Sequence, residues 1–456
     1  MVRTLDYTDN GITYTNPKFN SMSKDQILFE QEILIKKQLK YVYRNSEFYR
    51  NKMIEIGVEP SDIKTLNDYY NLPIFMNKAT ERESQSLSME KYGHPFGLHL
   101  CTQVDDIAFT GTTSGTSGNP TFTYTFNQQD LQFLNRYISH MLEYGGIYKG
   151  DRVLFAHSLG IYATSSILWG LREHGVLPID VDVRAGSDMI LKYAEMTRPS
   201  ALMTTPSLAE YLIDKSEQLN IDLSTLGIEA IFTVGEIGIG IPKIKNKIES
   251  AYGCRVYDYL GEIGFSCDSD EYHGIHCVAP DYNLFPNNLI DPETKEPIAL
   301  YDGVIGEIID TELSIQALPR VRYASGDIVQ VFTGKCPGCG FEGNRIKFVG
   351  RSDDMLIVKG ANVFPSAIKE AIATFVPHIT GEIRIVLNEP PPRVEPPLNI
   401  KVEHGHHTSK DNLEHLAGKI KKHLHTSVRL TPNIIWCEPG SLGKEMTKTP
   451  LVEKNY

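Results

Sequence analysis

From residue 151 onward, short apolar runs at 153–156, 201–204, 230–234 and 256–260 alternate with helical-period segments at 189–196 and 241–252. Runs this short can bury both faces only inside a sheet that helices cover, so the alternation predicts a parallel or mixed sheet with helices packed on it. A β-rich pattern follows at 305–349, with candidate strands at 305–309, 321–323, 328–332 and 346–349, and predicts a barrel-like subdomain. Upstream, apolar residues at helical spacing (Ile27, Ile33, Leu34, Leu39, Val42) and breaks at Pro60 and Pro73 predict a helical layer within 1–95.

The pattern changes at Gly350-Arg351-Ser352-Asp353-Asp354. Beyond it, helices are expected over 366–374 and 411–425 and strands at 383–387, 399–402 and 433–437, with a Pro-rich surface loop at 390–397. The expected fold is therefore α/β. A large N-terminal domain over 1–350, of mixed sheets with packed helices plus a β-barrel-like subdomain, precedes a small mobile C-terminal α+β domain over 351–456.

Composition narrows the function classes. With 456 residues, 41% hydrophobic and 22% charged, the chain can bury a large core. A net charge of -12 excludes broad binding to nucleic acid or anionic membranes, which needs a cationic field. The first residues carry no apolar stretch with a small-residue cleavage site, and no uncharged apolar run approaches about 18 residues, so a cytoplasmic protein is expected. Seven cysteines in a chain this long suit metal binding or free thiols better than a disulfide framework.

Thr112-Thr113-Ser114-Gly115-Thr116-Ser117-Gly118-Asn119-Pro120-Thr121 places hydroxyls and glycines between ordered segments. Glycines allow close backbone approach to a ligand, and consecutive N–H and hydroxyl groups offer donors to anionic oxygens, so the stretch suits polyphosphate and points to ATP. Phe122, Tyr124 and Phe126 then alternate with threonines, which predicts a strand rather than a flexible linker. A Walker-type loop needs Gly-Lys-Ser/Thr running into a helix, and that pattern is absent.

In Tyr323-Ala324-Ser325-Gly326-Asp327, a carboxylate just past a strand end can accept both vicinal hydroxyls of a ribose. Cys336-Pro337-Gly338-Cys339-Gly340 offers two thiolates to one tetrahedral ion from the same side. The remaining ligands are open to Cys267 with His273, or to His276 with Cys277.

These motifs resemble those of adenylate-forming enzymes, specifically the phenylacetate–CoA ligase branch. The likeness rests on the hydroxyl-rich loop, on Gly-Arg-Ser-Asp-Asp-Met-Leu-Ile-Val-Lys-Gly-Ala-Asn-Val-Phe-Pro from residue 350, and on Glu438-Pro439-Gly440-Ser441-Leu442-Gly443-Lys444-Glu445-Met446-Thr447-Lys448. It extends to Tyr41-Val42-Tyr43-Arg44-Asn45-Ser46-Glu47-Phe48-Tyr49-Arg50. The resemblance implies ATP- and Mg²⁺-dependent activation of a carboxylic acid, an aromatic one expected, followed by acyl transfer to coenzyme A. Transfer to a nitrogen nucleophile is the alternative within the enzyme class, and a non-catalytic nucleotide- or acyl-binding protein the alternative outside it. A homodimer is what relatives suggest.

The resemblance also implies residue roles. Thr113, Ser114, Gly115, Thr116, Ser117 and Gly118 would wrap the phosphates. Glu236, Tyr257, Asp258, Tyr259, Asp327 and Arg351 would surround the nucleotide. Asp353 would be the hinge, Lys359 and Gly360 the edge of a CoA tunnel, and Lys448 the catalytic cation between carboxylate and α-phosphate, with Lys444 as runner-up. His157, Tyr162 and Tyr259 would line the acid slot, and Cys267 and His273 would complete a structural zinc site with Cys336 and Cys339. Three positions depart from the family pattern: Asn119 stands for a lysine, Leu260 for a tyrosine over adenine, and Gly264 for the magnesium glutamate. Glu262, two residues earlier, is the candidate magnesium ligand.

Overall fold

The computed structural model describes residues 11–114, 120–159, 164–236, 238–261, 263–358, 361–406, 408–443 and 451–456. Its centre is a 13-stranded mixed sheet. Parallel strands Leu177–Asp182, Arg152–His157, Ala201–Thr204, Ala230–Thr233 and Arg255–Leu260 lie side by side in that order. Antiparallel pairing then carries the sheet through Gly264–Ser266, Ile275–Cys277, Arg345–Arg351, Tyr323–Phe332 and Ile305–Asp310. The β-rich segment is thus continuous with the parallel part.

Period-two alternation divides the parallel strands between two cores. Val153, Phe155, Ala201, Met203, Ala230, Phe232, Tyr257 and Tyr259 face helices Gln128–Tyr144 and Thr164–His174. Leu154, Ala156, Leu202, Ile231 and Val256 face helices Ser187–Thr197, Pro206–Leu219 and Pro242–Tyr252. Each fully buried apolar side chain contributes about 1.5–3 kcal/mol. Phe232 lies against Gly145, where a Cβ would come within 2.5 Å of Phe232 Cζ, so no larger residue fits there. Truncating Phe232 to Ala would cost about 3–5 kcal/mol.

Helix Gln128–Tyr144 begins at a reciprocal capping box between Asn127 and Asp130. The buried Asp130 carboxylate also accepts from Gln316 N at 2.8 Å and Ala317 N at 2.9 Å, which fixes the helix start against a distant loop. The hydroxyl-rich loop joins the hairpin strands Ile107–Ser114 and Pro120–Asn127.

One expectation changes here. The separate runs at 321–323 and 328–332 are a single strand, Tyr323–Phe332, that passes through Ser325-Gly326-Asp327. Gly326 takes φ 83°, and the register against Arg345–Arg351 shifts between Ile328 and Val329. A left-handed glycine lets the strand kink without ending, so a sequence that resembles a turn stays in the sheet.

Residues beyond 355 build a core of their own, including Leu356, Ile368, Ile383, Ile385, Ile400, Val402, Leu416, Ile420 and Leu424. A four-stranded sheet of Ile379–Leu387, Asn399–His404, Asn433–Cys437 and Val452–Lys454 packs with helices Pro365–Ala373 and Leu413–Val428. Contacts to the larger body include polar ones: Lys347 Nζ meets Glu370 Oε1 at 2.6 Å, and Ser366 Oγ donates to the carbonyl of Val349.

Candidate active site and metal centre

The kink at Gly326 places Asp327 directly across from Arg351 in the strand pairing. Arg351 Nη1 donates to Asp327 Oδ1 at 2.8 Å, while its Nε donates to Asp353 Oδ1 at 2.8 Å and its Nη2 to Asp353 Oδ2 at 3.3 Å. Nη2 also reaches the carbonyl of Ser325. One planar fork therefore holds the two acids at the point where the chain leaves the large sheet. All three side chains retain solvent access, so the Asp327 carboxylate can exchange partners with a diol ligand.

At the carboxyl ends of the parallel strands, the face toward Gln128–Tyr144 presents His157 and Tyr259. Phe155, Met203, Phe232 and Tyr257 form one row across four strands, and His157 and Tyr259 lie two residues further along the outer two. His157 Nε2 and Tyr259 Oη are both buried with no hydrogen-bond partner among the described residues. Burial lowers the His157 pKa to about 4, so its imidazole is neutral at pH 7. A cavity lined by Leu134, Tyr137, Ile138, Ser166, Ile167, Tyr259 and Gly261 opens beside Tyr259.

Neighbouring candidates have structural partners. Tyr257 is buried and stacks on Phe232 with ring centroids 5.3 Å apart. Asp258 points to the opposite side of the sheet, where Tyr272 Oη donates to it at 3.1 Å. Burial pushes the Asp258 carboxyl up to about 7, against the opposing pull of the Tyr272 and Thr233 hydrogen bonds. Glu236 Oε1 accepts from Ser207 N at 2.8 Å, at the first turn of Pro206–Leu219. Thr113 and Ser114 end their hairpin strand. Gly115, Thr116, Ser117, Gly118, Tyr162, Glu262, Lys359, Gly360, Lys444 and Lys448 lie outside the described residues.

Gly264 explains its own departure from the family pattern. A Cβ there would sit 1.7 Å from the carbonyl oxygen of His276 on the adjacent strand, and Tyr137 Oη donates to Gly264 O at 2.8 Å. The position is packed shut, so no carboxylate can occupy it.

The sulfur cluster corrects one expectation. Cys267, His276, Cys336 and Cys339 converge, with one potential ligand atom from each all within 4.8 Å of one another. His273 is not in this group: its carbonyl accepts from Arg345 Nη1 at 2.8 Å, and it precedes the left-handed Gly274. The strand Ile275–Cys277 follows, and its period of two sends Ile275 and Cys277 into one core and His276 to the other side.

Cys267 Sγ lies 4.0 Å from Cys336 Sγ, and Cys339 Sγ lies 3.3 Å from His276 Nε2. Tetrahedral zinc with Zn–S near 2.3 Å sets its sulfurs about 3.8 Å apart, so the group fits such an ion. His276 Nδ1 faces the carbonyl of Phe265 at 3.2 Å, which leaves Nε2 free to ligate. Hydrogen bonds from Cys267 hold the Cys336 and Cys339 thiols below their usual range.

The profile of the AMP-binding enzyme C-terminal domain matches residues 360–454. Phenylacetate-coenzyme A ligase from Thermus thermophilus is 28% identical over 408 residues, covering 85% of this chain and 84% of its own. The enzyme of the same name from Pseudomonas putida is 29% identical, covering 73% and 72%. Over most of its length the chain is therefore similar to phenylacetate-coenzyme A ligases, at 28–29% identity, with the C-terminal domain match in addition. A solved structure of 2-hydroxyisobutyryl-CoA ligase, in a postadenylation state with an acyl-AMP, shares the fold: TM-score 0.84, 23% identity, 96% of this chain and 91% of that one.

Against that family background, sequence reasoning passed over the helical wall of the cavity. Leu134, Tyr137 and Ile138 repeat at helical spacing on Gln128–Tyr144 and read equally well as plain core. Only their meeting with Tyr259 on the facing sheet marks them as the wall of a cavity.

Proposed function

We propose that this chain activates a carboxylic acid with ATP and transfers the acyl group to coenzyme A. The carboxylate oxygen attacks the α-phosphorus, the bond to the bridging oxygen breaks, and pyrophosphate leaves; the thiol of coenzyme A then attacks the acyl carbonyl and AMP leaves. The names of the relatives support a CoA ligase and an aromatic acid. The observation that carries the reading is the Arg351 fork, which ties Asp327 and Asp353 to one guanidinium where the chain passes between two separate cores.

In this reading Asp327 accepts the ribose hydroxyls, and Arg351 orients it. The loop from Thr113 to Gly118 wraps the phosphates, with Tyr257, Asp258, Tyr259 and Glu236 around the nucleotide. The domain of 351–456 turns about Asp353, bringing Lys448 to the α-phosphate for the first step and Lys359-Gly360 to the pantetheine for the second. Holding two anions in line supplies most of the rate, with Mg²⁺ carried by Glu262 because Gly264 cannot. His157, Tyr162 and Tyr259 line the acid slot. Zinc held by Cys267, His276, Cys336 and Cys339 is structural, tying three separate segments together. A cytoplasmic homodimer completes the proposal.

Acid-dependent ATP–pyrophosphate exchange across a panel of carboxylic acids tests it, together with product masses recorded with and without coenzyme A. Exchange that disappears in Lys448→Ala and survives in Lys444→Ala is the expected result. No exchange with any acid overturns adenylation, and an acyl product on an amine instead of coenzyme A overturns the acceptor.

A further inference from the structure

We infer that Tyr259 selects acids carrying a hydroxyl or amino substituent, so that the substrate is a polar-substituted carboxylic acid rather than a plain hydrocarbon one. This deepens the reading of the acid slot and rests on it. Of the polar side chains on the cavity wall, Ser166 already has an interaction and Tyr137 spends its hydroxyl on Gly264 O at 2.8 Å. Tyr259 does not: it is 2% exposed, and Oη has no partner among the described residues. A buried phenol normally finds a partner, because leaving one unmade costs far more than a made bond contributes. A side chain kept in that condition on a cavity wall is arranged for a ligand atom.

The size of the cavity agrees. Its volume is about 30 Å³, room for a substituent of few atoms and not for a second ring. Apolar Leu134, Ile138 and Ile167 line it together with Tyr137, Ser166 and Tyr259, and a polar group entering it can meet the Tyr259 hydroxyl. The neutral His157 lies at the same level of the same sheet face, three strands away, its own Nε2 without a partner among the described residues. Three strand spacings place it roughly 14 Å from Tyr259 at the backbone, too far to satisfy the phenol.

The test uses matched acids: phenylacetate against its ortho, meta and para hydroxy derivatives, and a short aliphatic acid against its hydroxy acid. Binding is measured by calorimetry on the full chain with a non-hydrolysable ATP analogue, for the natural protein and for Tyr259→Phe. At least one hydroxylated acid should bind about 10- to 100-fold more tightly than its hydrocarbon partner, and Tyr259→Phe should erase that ratio. The ligand-free melting temperature of Tyr259→Phe should equal or exceed that of the natural protein, because the substitution removes a hydroxyl that has no partner among the described residues.

Equal binding within every pair, a ratio that survives Tyr259→Phe, or a clear fall in the ligand-free melting temperature overturns the inference. Pyrophosphate exchange with hydrocarbon acids that Tyr259→Phe leaves unselective overturns it while adenylation stands. Tyr259-dependent binding without exchange does the reverse.

Discussion

Arg351 donates to Asp327 and to Asp353 through different nitrogens of one guanidinium, so the strand that carries the first acid and the turn that carries the second share a single cation. Both pairs are partly exposed, and exposed pairs contribute only about 0–1 kcal/mol to stability. Arg351 therefore supplies geometry rather than fold stability.

From this it follows that Arg351→Ala should unfold within about 1 kcal/mol of the natural protein yet lose at least about 100-fold in pyrophosphate exchange, as misplaced reacting groups do. Asp353→Ala should keep exchange within several-fold and slow thioester formation by about 10-fold or more, since only the second step needs the turn to move. Denaturant melts and separate assays of the two half-reactions check both. Equal losses in the two steps for Asp353→Ala would remove its hinge role.

Restoring the family glutamate should fail. In Gly264→Glu the new Cβ meets His276 O, which is backbone and cannot swing away, and the hydrogen bond from Tyr137 is disturbed. A loss of about 3 kcal/mol or more is expected with no gain in magnesium affinity. A well-folded Gly264→Glu protein that needs less magnesium would show that the strand pairing around Gly264 is not as described.

Metal analysis separates the two histidines. Protein purified without chelator should carry one zinc per chain; His276→Ala should lose it and melt lower, whereas His273→Ala should retain it. Chelator treatment should destabilise the natural protein by several kcal/mol, because ligand binding adds directly to folding free energy. Retention of zinc in His276→Ala would restore His273 as the ligand.

The pH dependence of stability should reveal the buried imidazole. His157 titrates near 4 when folded and near 6.5 when unfolded, because burial excludes its proton. Between those values the unfolded chain holds more protons, so stability rises with pH through the window and is complete above about 6.5. The term is worth at most about 3 kcal/mol. Asp130 works in the opposite sense, its folded carboxyl being pushed up to about 6 by burial, so the comparison must be between variants. On acidification from pH 7 to 4.5, His157→Gln should lose about 2–3 kcal/mol less than the natural protein. Superimposable curves would contradict a neutral buried His157.

The sequence alone determined what neighbours along the chain can decide. Period-two and helical spacing located four of the five parallel strands and two of the helices that cover them, because each element buries a face set by its own repeat, while strand Leu177–Asp182 and helices Gln128–Tyr144, Thr164–His174 and Pro206–Leu219 went unread. The Cys336–Cys339 knuckle was legible for the same reason, as both thiols belong to one turn. Pairing across the sheet was not.

Register made Asp327 the partner of Arg351, put a carbonyl where Gly264 would need a side chain, and chose His276 over His273. Sheet order brought Tyr259 against the helix Gln128–Tyr144 and left its hydroxyl without a partner among the described residues. A shift of one residue in a strand reverses which side every side chain faces, and that choice is fixed by packing between segments hundreds of residues apart.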